Sequence, residues 1–280
     1  MSLDLSAVGF STEPYAFEYD WKVPVLYALG IGAKHDELDL LYEARGPRVF
    51  PTFAVAPSYR ALGQLMERAK APLASVIHAA QSIRVHRSIP REGCLTTVGT
   101  ITGIYDLKRM GQVVLSTKSE HHGELVCETQ WTLLVMDHGG FGGPRPPRVP
   151  PVNPPKDREP DFTTVDESTR EQALLYRLSG DLNPLHADPE VARSAGFEKG
   201  PILHGLCTFG FLARALVKGA CQGDERRLLA LGAQFRKPVW PGEAIRTLGY
   251  VTEKNHWSLA AFAADRQEAV VTNAWAEIAS

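Results

Sequence analysis

The stretch YRLSGDLNPLHADPEVARSAGFEKGPILHGLCTFGF, residues 176–211, is the densest part of the chain in residues that carry chemistry. Gly180 permits a left-handed exit from a helix, and Asn183-Pro184 turns the chain. Asp188 caps a second, short helix whose first position is Pro189. This local order brings Asp181, Asn183 and His186 onto one compact loop, where a carboxylate and an imidazole five residues apart can both reach one water. Taken alone, such a D-x-N-P-x-H pattern is more often local in meaning, because Asx side chains beside prolines cap helix ends. The downstream residues change that balance. Gly200-Pro-Ile-Leu-His204-Gly205 runs into a long apolar helix expected to reach about Ala220, with Gly205 at its start. The N–H groups of a helix N-terminus are unpaired and favour negative charge. A glycine there lets a developing anion approach the backbone.

Working outward, Thr169-Arg-Glu-Gln172 reads as a capping box opening a helix that ends near Gly180. Beyond the long helix, residues 228–239, 244–254, 257–265 and 269–278 read as strands. Upstream lies a break: Gly139-Gly-Phe-Gly-Gly143, then a proline-rich run from Pro144 to Pro155. Such composition holds neither helix nor central strand. It reads as an extended linker over 144–160, between an N-terminal half, 1–143, and a C-terminal half, 161–280. In the first half, residues 75–90, 94–108 and 112–136 are rich in Val, Ile and Thr, are punctuated by Gly93, Gly111 and Gly123, and read as an antiparallel meander. Residues 58–69 have helical spacing, with Ser58 as the cap. Each half is thus a helix followed by antiparallel strands. A short echo, His86–Gly93 against Arg236–Glu243, also favours duplication.

The 280 residues, 44% hydrophobic, suffice for two packed cores. With a net charge of -2 there is no broad basic face, which argues against a nucleic acid partner. No apolar run has the length of a membrane span. The N-terminus lacks the basic region of a secretory signal, and Glu277-Ile-Ala-Ser280 is not a peroxisomal address. Cys94, Cys127, Cys207 and Cys221 form no C-x-x-C. Free thiols in a reducing cytoplasm are expected. No Rossmann or P-loop pattern occurs.

Residues 176–211 strongly resemble the hydratase 2 signature of the MaoC-like dehydratases, the (R)-specific 2-enoyl-CoA hydratases. Tyr27–Ala33, Leu41-Tyr-Glu43, Pro51-Thr-Phe53 and Gly139–Gly143 resemble the hydratase 2 unit of peroxisomal multifunctional enzyme type 2. The resemblance spans nearly the whole chain, in the manner of the free-standing bacterial form. It implies an α+β double hot-dog fold, two antiparallel sheets each wrapped around a helix. The second half would keep the catalytic loop and the first would be opened for long or bulky acyl chains. No D-x-N-P-x-H precedes the linker, in agreement.

The resemblance further implies reversible hydration of a trans-2-enoyl-CoA to the (R)-3-hydroxyacyl-CoA. Asp181 and His186 would move the protons, Asn183 would position water or steady the loop, and the Gly205 N–H would bind the thioester oxygen. A homodimer is expected by the same analogy. The CoA thioester would be substrate, and no cofactor or metal is expected. His121-His122, in a hairpin turn, suggests no third ligand. Arg236 and Lys237 are candidates for CoA phosphates, or are simply solvated. His204 either lines the pocket or is a structural group. Tyr176 is expected to pack behind the loop, and Glu43 to form a structural salt bridge. Gly139–Gly143 either approaches the CoA or is flexible linker. The competing readings are a 3-hydroxyacyl-ACP dehydratase with the same residues, a non-catalytic acyl-CoA-binding protein, and a hot-dog thioesterase.

Overall fold

The computed structural model describes residues 2–155 and 157–280. Along the chain run β1 (Tyr15–Tyr19), helices α1 (Lys22–Gly30), α2 (Leu38–Leu41) and α3 (Tyr59–Arg68), and strands β2 (Val76–Val85), β3 (Gly93–Asp106), β4 (Gly111–His121) and β5 (Glu124–Val135). Then come β6 (Phe162–Glu167), helices α4 (Gln172–Tyr176), α5 (Pro189–Ser194) and α6 (Gly205–Ala220), and strands β7 (Leu228–Phe235), β8 (Ala244–Glu253), β9 (His256–Ala263) and β10 (Glu268–Ile278). Two compact units result. One holds the segment ending at Glu18, with Ala54–Arg87 and Cys94–Pro151. The other holds Tyr19–Phe53, Ser88–Gly93 and Val152–Ser280.

In the first unit the strand order is β1-β3-β4-β5-β2. Alternate residues along β4 are buried, the pattern of a sheet with one face against a core. Helix α3 lies on that face through Ala61, Leu65 and Met66. Its close approach depends on Gly99 of β3, where a Cβ would come within 2.7 Å of Ala61 and 3.0 Å of Leu65. The stretch 112–136 forms a hairpin of two strands, β4 and β5, turning at His122 and Gly123 with φ of 52° and 77°, where the sequence placed the turn. Ser58 occupies the cap position of α3 but does not cap it. Its hydroxyl instead bonds Thr117 at 2.9 Å and Thr129 at 3.2 Å on β4 and β5, because buried hydroxyls there need partners.

The second unit repeats the plan. Its order, β6-β8-β9-β10-β7, matches the first strand for strand in chain sequence, as duplication requires. Its central helix α6 has 16 residues, of which Leu206–Val217 are all buried. A helix apolar all round must be covered all round. On the sheet side, the Phe162 ring fills the space over Gly219 of α6 and Gly249 of β8, where added Cβ atoms would lie 2.3 and 2.1 Å from it. On the other side lies the segment 19–53. Ile31 packs where a Cβ on Gly210 would sit, at 2.2 Å, and Phe211 meets Gly32, whose φ is +86°.

Helix α4 continues as a 3-10 turn, Arg177–Ser179, that ends at Gly180 with φ 128°. The expected capping box is only half formed. Gln172 Oε1 accepts the Thr169 N–H at 3.4 Å, but no side chain caps α4. The Gln172 amide is engaged elsewhere, donating to the carbonyls of Leu29 and Gly30 at 3.0 and 2.6 Å. The glycine loop at 139–143 is tied down rather than loose, since the N–H groups of Gly140 and Gly142 both donate to the Asp106 carboxylate. Among the described residues, no helix is long and apolar enough to cross a membrane.

Candidate active site

The loop between Gly180 and α5 is built from its own side chains. Asp181 Oδ1 accepts the Asn183 N–H at 3.1 Å, and Asn183 Oδ1 accepts the Leu185 N–H at 3.0 Å. The second bond caps the 3-10 turn Pro184–His186. Asp188 then caps α5 through the N–H groups of Glu190 and Val191, as the sequence predicts. Asn183 is exposed and structural in what it bonds, the Asx behaviour expected beside a proline.

His186 is 8% exposed. Its Nδ1 lies 2.9 Å from the carbonyl of Ile202. A carbonyl only accepts, so Nδ1 carries the proton and Nε2 presents a lone pair. His204, 1% exposed, makes the mirror arrangement: its Nε2–H donates to the backbone carbonyl of Asp181 at 3.1 Å. Between these two anchors, the Leu203 N–H donates to the Val239 carbonyl at 2.7 Å. One extended segment, 202–204, thus holds both ends of the Asp181–His186 loop and is itself held by the turn after β7. Neither anchor carbonyl is visible as a residue type, which is why Ile202 escapes a reading by sequence.

The two imidazoles stack with centroids 3.7 Å apart and planes 29° apart. Tyr176, fully buried, closes the far side of His204 at 4.9 Å and itself packs against Tyr27 at 5.9 Å. Tyr176 thus packs behind the loop, the position expected of it. Burial pushes the His186 imidazole below its ordinary value, opposed by the Ile202 hydrogen bond and the negative Asp181. Burial also drives His204 down to about 2, with the neighbouring His186 and Arg177 adding to the effect. Both rings are neutral near pH 7.

The side-chain donor atoms of Asp181, His186 and His204 lie within 4.8 Å of one another. A bound ion needs lone pairs that converge at about 2.0–2.2 Å. Imidazole lone pairs lie in the ring plane, and two rings stacked nearly face to face send theirs side by side. Rings stacked in this way are poorly disposed for metal ligation.

Gly205 opens α6 directly after His204, with no side chain capping the helix. A Cβ here would come within 3.3 Å of the Phe235 ring, so the glycine keeps that ring close over the helix start. Arg236 and Lys237 follow Phe235 and are exposed. The structure shows only their neighbour Phe235 packed over Gly205, and among the described residues gives neither of them a contact with the site. Glu43 is also exposed, and among the described residues it forms no ion pair, unlike the salt bridge expected of it.

Two family models match the chain. The MFE-2 hydratase 2 N-terminal domain covers residues 17–137 and the MaoC like domain covers 151–272. The chain is 40% identical to 3-hydroxyacyl-thioester dehydratase Y of Mycobacterium tuberculosis, over 90% of this chain and 89% of that protein. It is 34% identical to a probable enoyl-CoA hydratase 2 of Dictyostelium discoideum, over 88% and 87%. Among solved structures, a MaoC-like dehydratase from Phytophthora capsici superposes with a TM-score of 0.87 at 26% identity, covering 99% of this chain and 98% of that one.

Proposed function

Starting from a chain that belongs to the MaoC-like dehydratases, in their hydratase 2 branch, we propose that Asp181 and His186 add water reversibly across a trans-2-enoyl-CoA to give the (R)-3-hydroxyacyl-CoA. The chain is a hydro-lyase of that family. The observation that carries the residue assignment is the fixed tautomer of His186. Its Nδ1–H is committed to Ile202, which leaves Nε2 as the acceptor of the ring, and the His186 imidazole and the Asp181 carboxylate have atoms within 4.8 Å of each other.

In the forward direction a water donates its two hydrogens to these two acceptors. Its oxygen forms the C3–O bond, and one proton passes to the pair. The π electrons move to the thioester oxygen as an enolate, then return to form the C2–H bond with a proton delivered by the pair. Acid/base help of this kind contributes about 10²–10⁴-fold per group. The two groups titrate as a unit, and the proton inventory belongs to the pair. The Gly205 N–H, at the positive end of α6, receives the enolate oxygen. Asn183 holds the loop in the shape that presents Asp181. Arg236 and Lys237 meet the CoA phosphates at the rim.

The test is loss of enoyl absorbance with crotonyl-CoA and a long-chain 2-enoyl-CoA, followed by chiral analysis of the product. Turnover to the (R)-alcohol, lost in Asp181→Asn and His186→Ala, is the expected result. Turnover retained in both variants would overturn the assignment, and turnover only of acyl-carrier-protein thioesters would transfer the reaction to that carrier. A homodimer is the proposed assembly, read by sedimentation.

A further inference from the structure

His204 is the most confined polar group of the site. It is 1% exposed, lodged between the rings of Tyr176 and His186, with Nε2–H on the Asp181 carbonyl. Its Nδ1 is buried and has no hydrogen-bond partner among the described residues. A leucine or phenylalanine would fill the same space without stranding a buried nitrogen, which carries a desolvation cost. The imidazole offers two things those residues do not combine: an N–H pointed at the catalytic loop and a flat polar face against His186.

We propose that His204 is a positioning residue, whose N–H fixes the backbone of Asp181 while its ring face fixes the plane of His186, so that the two reacting groups keep one mutual geometry. This rests on the reading of Asp181 and His186 as the acid/base pair. Burial opposes charge on His186, while the Ile202 carbonyl and Asp181 favour it. Burial, His186 and Arg177 oppose charge on His204, while the Asp181 carbonyl favours it. Staying neutral, His204 covers one face of His186 without charge repulsion and keeps water from it. Without that ring, water reaches His186, and its basicity rises toward the ordinary value.

Three variants separate the two contributions. His204→Gln keeps an amide N–H for Asp181, His204→Phe keeps the flat face, and His204→Ala removes both. Each is first checked for folding by thermal unfolding. His186 is then titrated by NMR through its ring nitrogens, and kcat and kcat/KM are followed against pH. His204→Ala is expected to lose on the order of 100-fold in kcat, with KM near wild type. The acid limb of kcat/KM should move to higher pH together with the His186 titration. His204→Phe should hold the limb in place yet lose kcat, and His204→Gln should recover most of kcat.

A folded His204→Ala with wild-type kcat and an unmoved His186 titration would overturn the proposal. So would a loss confined to KM, which would make His204 a substrate contact. If His204→Ala does not fold, wild-type kcat in both other variants overturns it equally. Should the wild-type protein turn over no enoyl thioester, the NMR titration still decides. A shift in His204→Ala then supports the held geometry while the hydratase reading falls, and no shift overturns both.

Discussion

Arg214, in the middle of the buried helix α6, grips Glu37 with both terminal nitrogens, at 2.7 Å to one carboxylate oxygen and 2.5 Å to the other. Arg214 is 2% exposed and Glu37 27%. A buried guanidinium is costly without a partner, so Glu37 is what makes its burial tolerable, and it ties the segment 19–53 to the central helix of the same unit. Removing one partner of a buried pair costs roughly 3–5 kcal/mol, whereas replacing the charged group by an apolar one of similar volume is far milder. Glu37→Ala is expected to lose about 3 kcal/mol, the low end because Glu37 is partly solvated. Arg214→Met combined with Glu37→Gln should cost clearly less than Glu37→Ala alone. Urea unfolding of the variants checks both.

Phe162 and Gly249 face each other across β6 and β8. A methyl on Gly249 would stand 2.1 Å from the Phe162 ring, with no flexible end to yield. Gly249→Ala should destabilise by about 1–3 kcal/mol, the range for overpacking. Adding Phe162→Leu should return part of that loss, a coupling that a double-mutant cycle measures.

The buried histidines set an acid limit on stability. His204 titrates near 2 in the folded protein, and His186 is also held below its ordinary value, whereas in the unfolded chain both return to about 6.5. A lowered folded value means stability that is complete above about pH 6.5 and is lost as pH falls below it, because the unfolded state then binds protons that the folded state refuses. His204, lowered that far, contributes a slope of about 1.4 kcal/mol per pH unit in that window, and His186 acts in the same direction. Wild-type unfolding midpoints should fall between about pH 6.5 and 4, and His204→Gln should flatten the slope by one such increment. An equal slope in wild type and variant would refute it.

Asp106 organises the glycine loop. It accepts N–H donors from Lys108, Gly140 and Gly142 and is held below the usual carboxylate range by them, the Gly140 bond foremost. Asp106→Ala should release the loop, seen as faster amide exchange at Gly140 and Gly142 with little change elsewhere in β3 and β4. The same donors are occupied by a carboxylate of the chain itself, so the loop is not set to take a phosphate while Asp106 is ionised.

Much of the architecture was legible because its signals are local. The strands of both halves, the hairpin glycines and the start of α6 at Gly205 follow from periodicity and backbone permission. Where local expectation failed, a distant partner prevailed over it. Ser58 has the right residue type for a cap, but Thr117 and Thr129 of the sheet take its hydroxyl. Gln172 has the right spacing for a capping box, but its amide serves Leu29 and Gly30. Glu43 lies in a family-like motif and faces solvent.

By itself, the sequence determined the inner shape of the loop from Gly180 to Pro189. A glycine exit, an Asx turn, a proline and an Asp cap act between neighbours a few residues apart, and they place Asp181 and His186 together whatever surrounds them. Only the tertiary structure decided how that loop is held and which way His186 presents its lone pair. The Ile202 carbonyl that selects the tautomer and the Asp181 carbonyl that His204 grasps are backbone atoms, common to every residue type and so silent in any sequence pattern. The same holds for the joining of residues 19–53 to the unit that carries the loop. That choice rests on shape, Ile31 against Gly210 and Phe211 against Gly32, and shape exists only once the chain has packed.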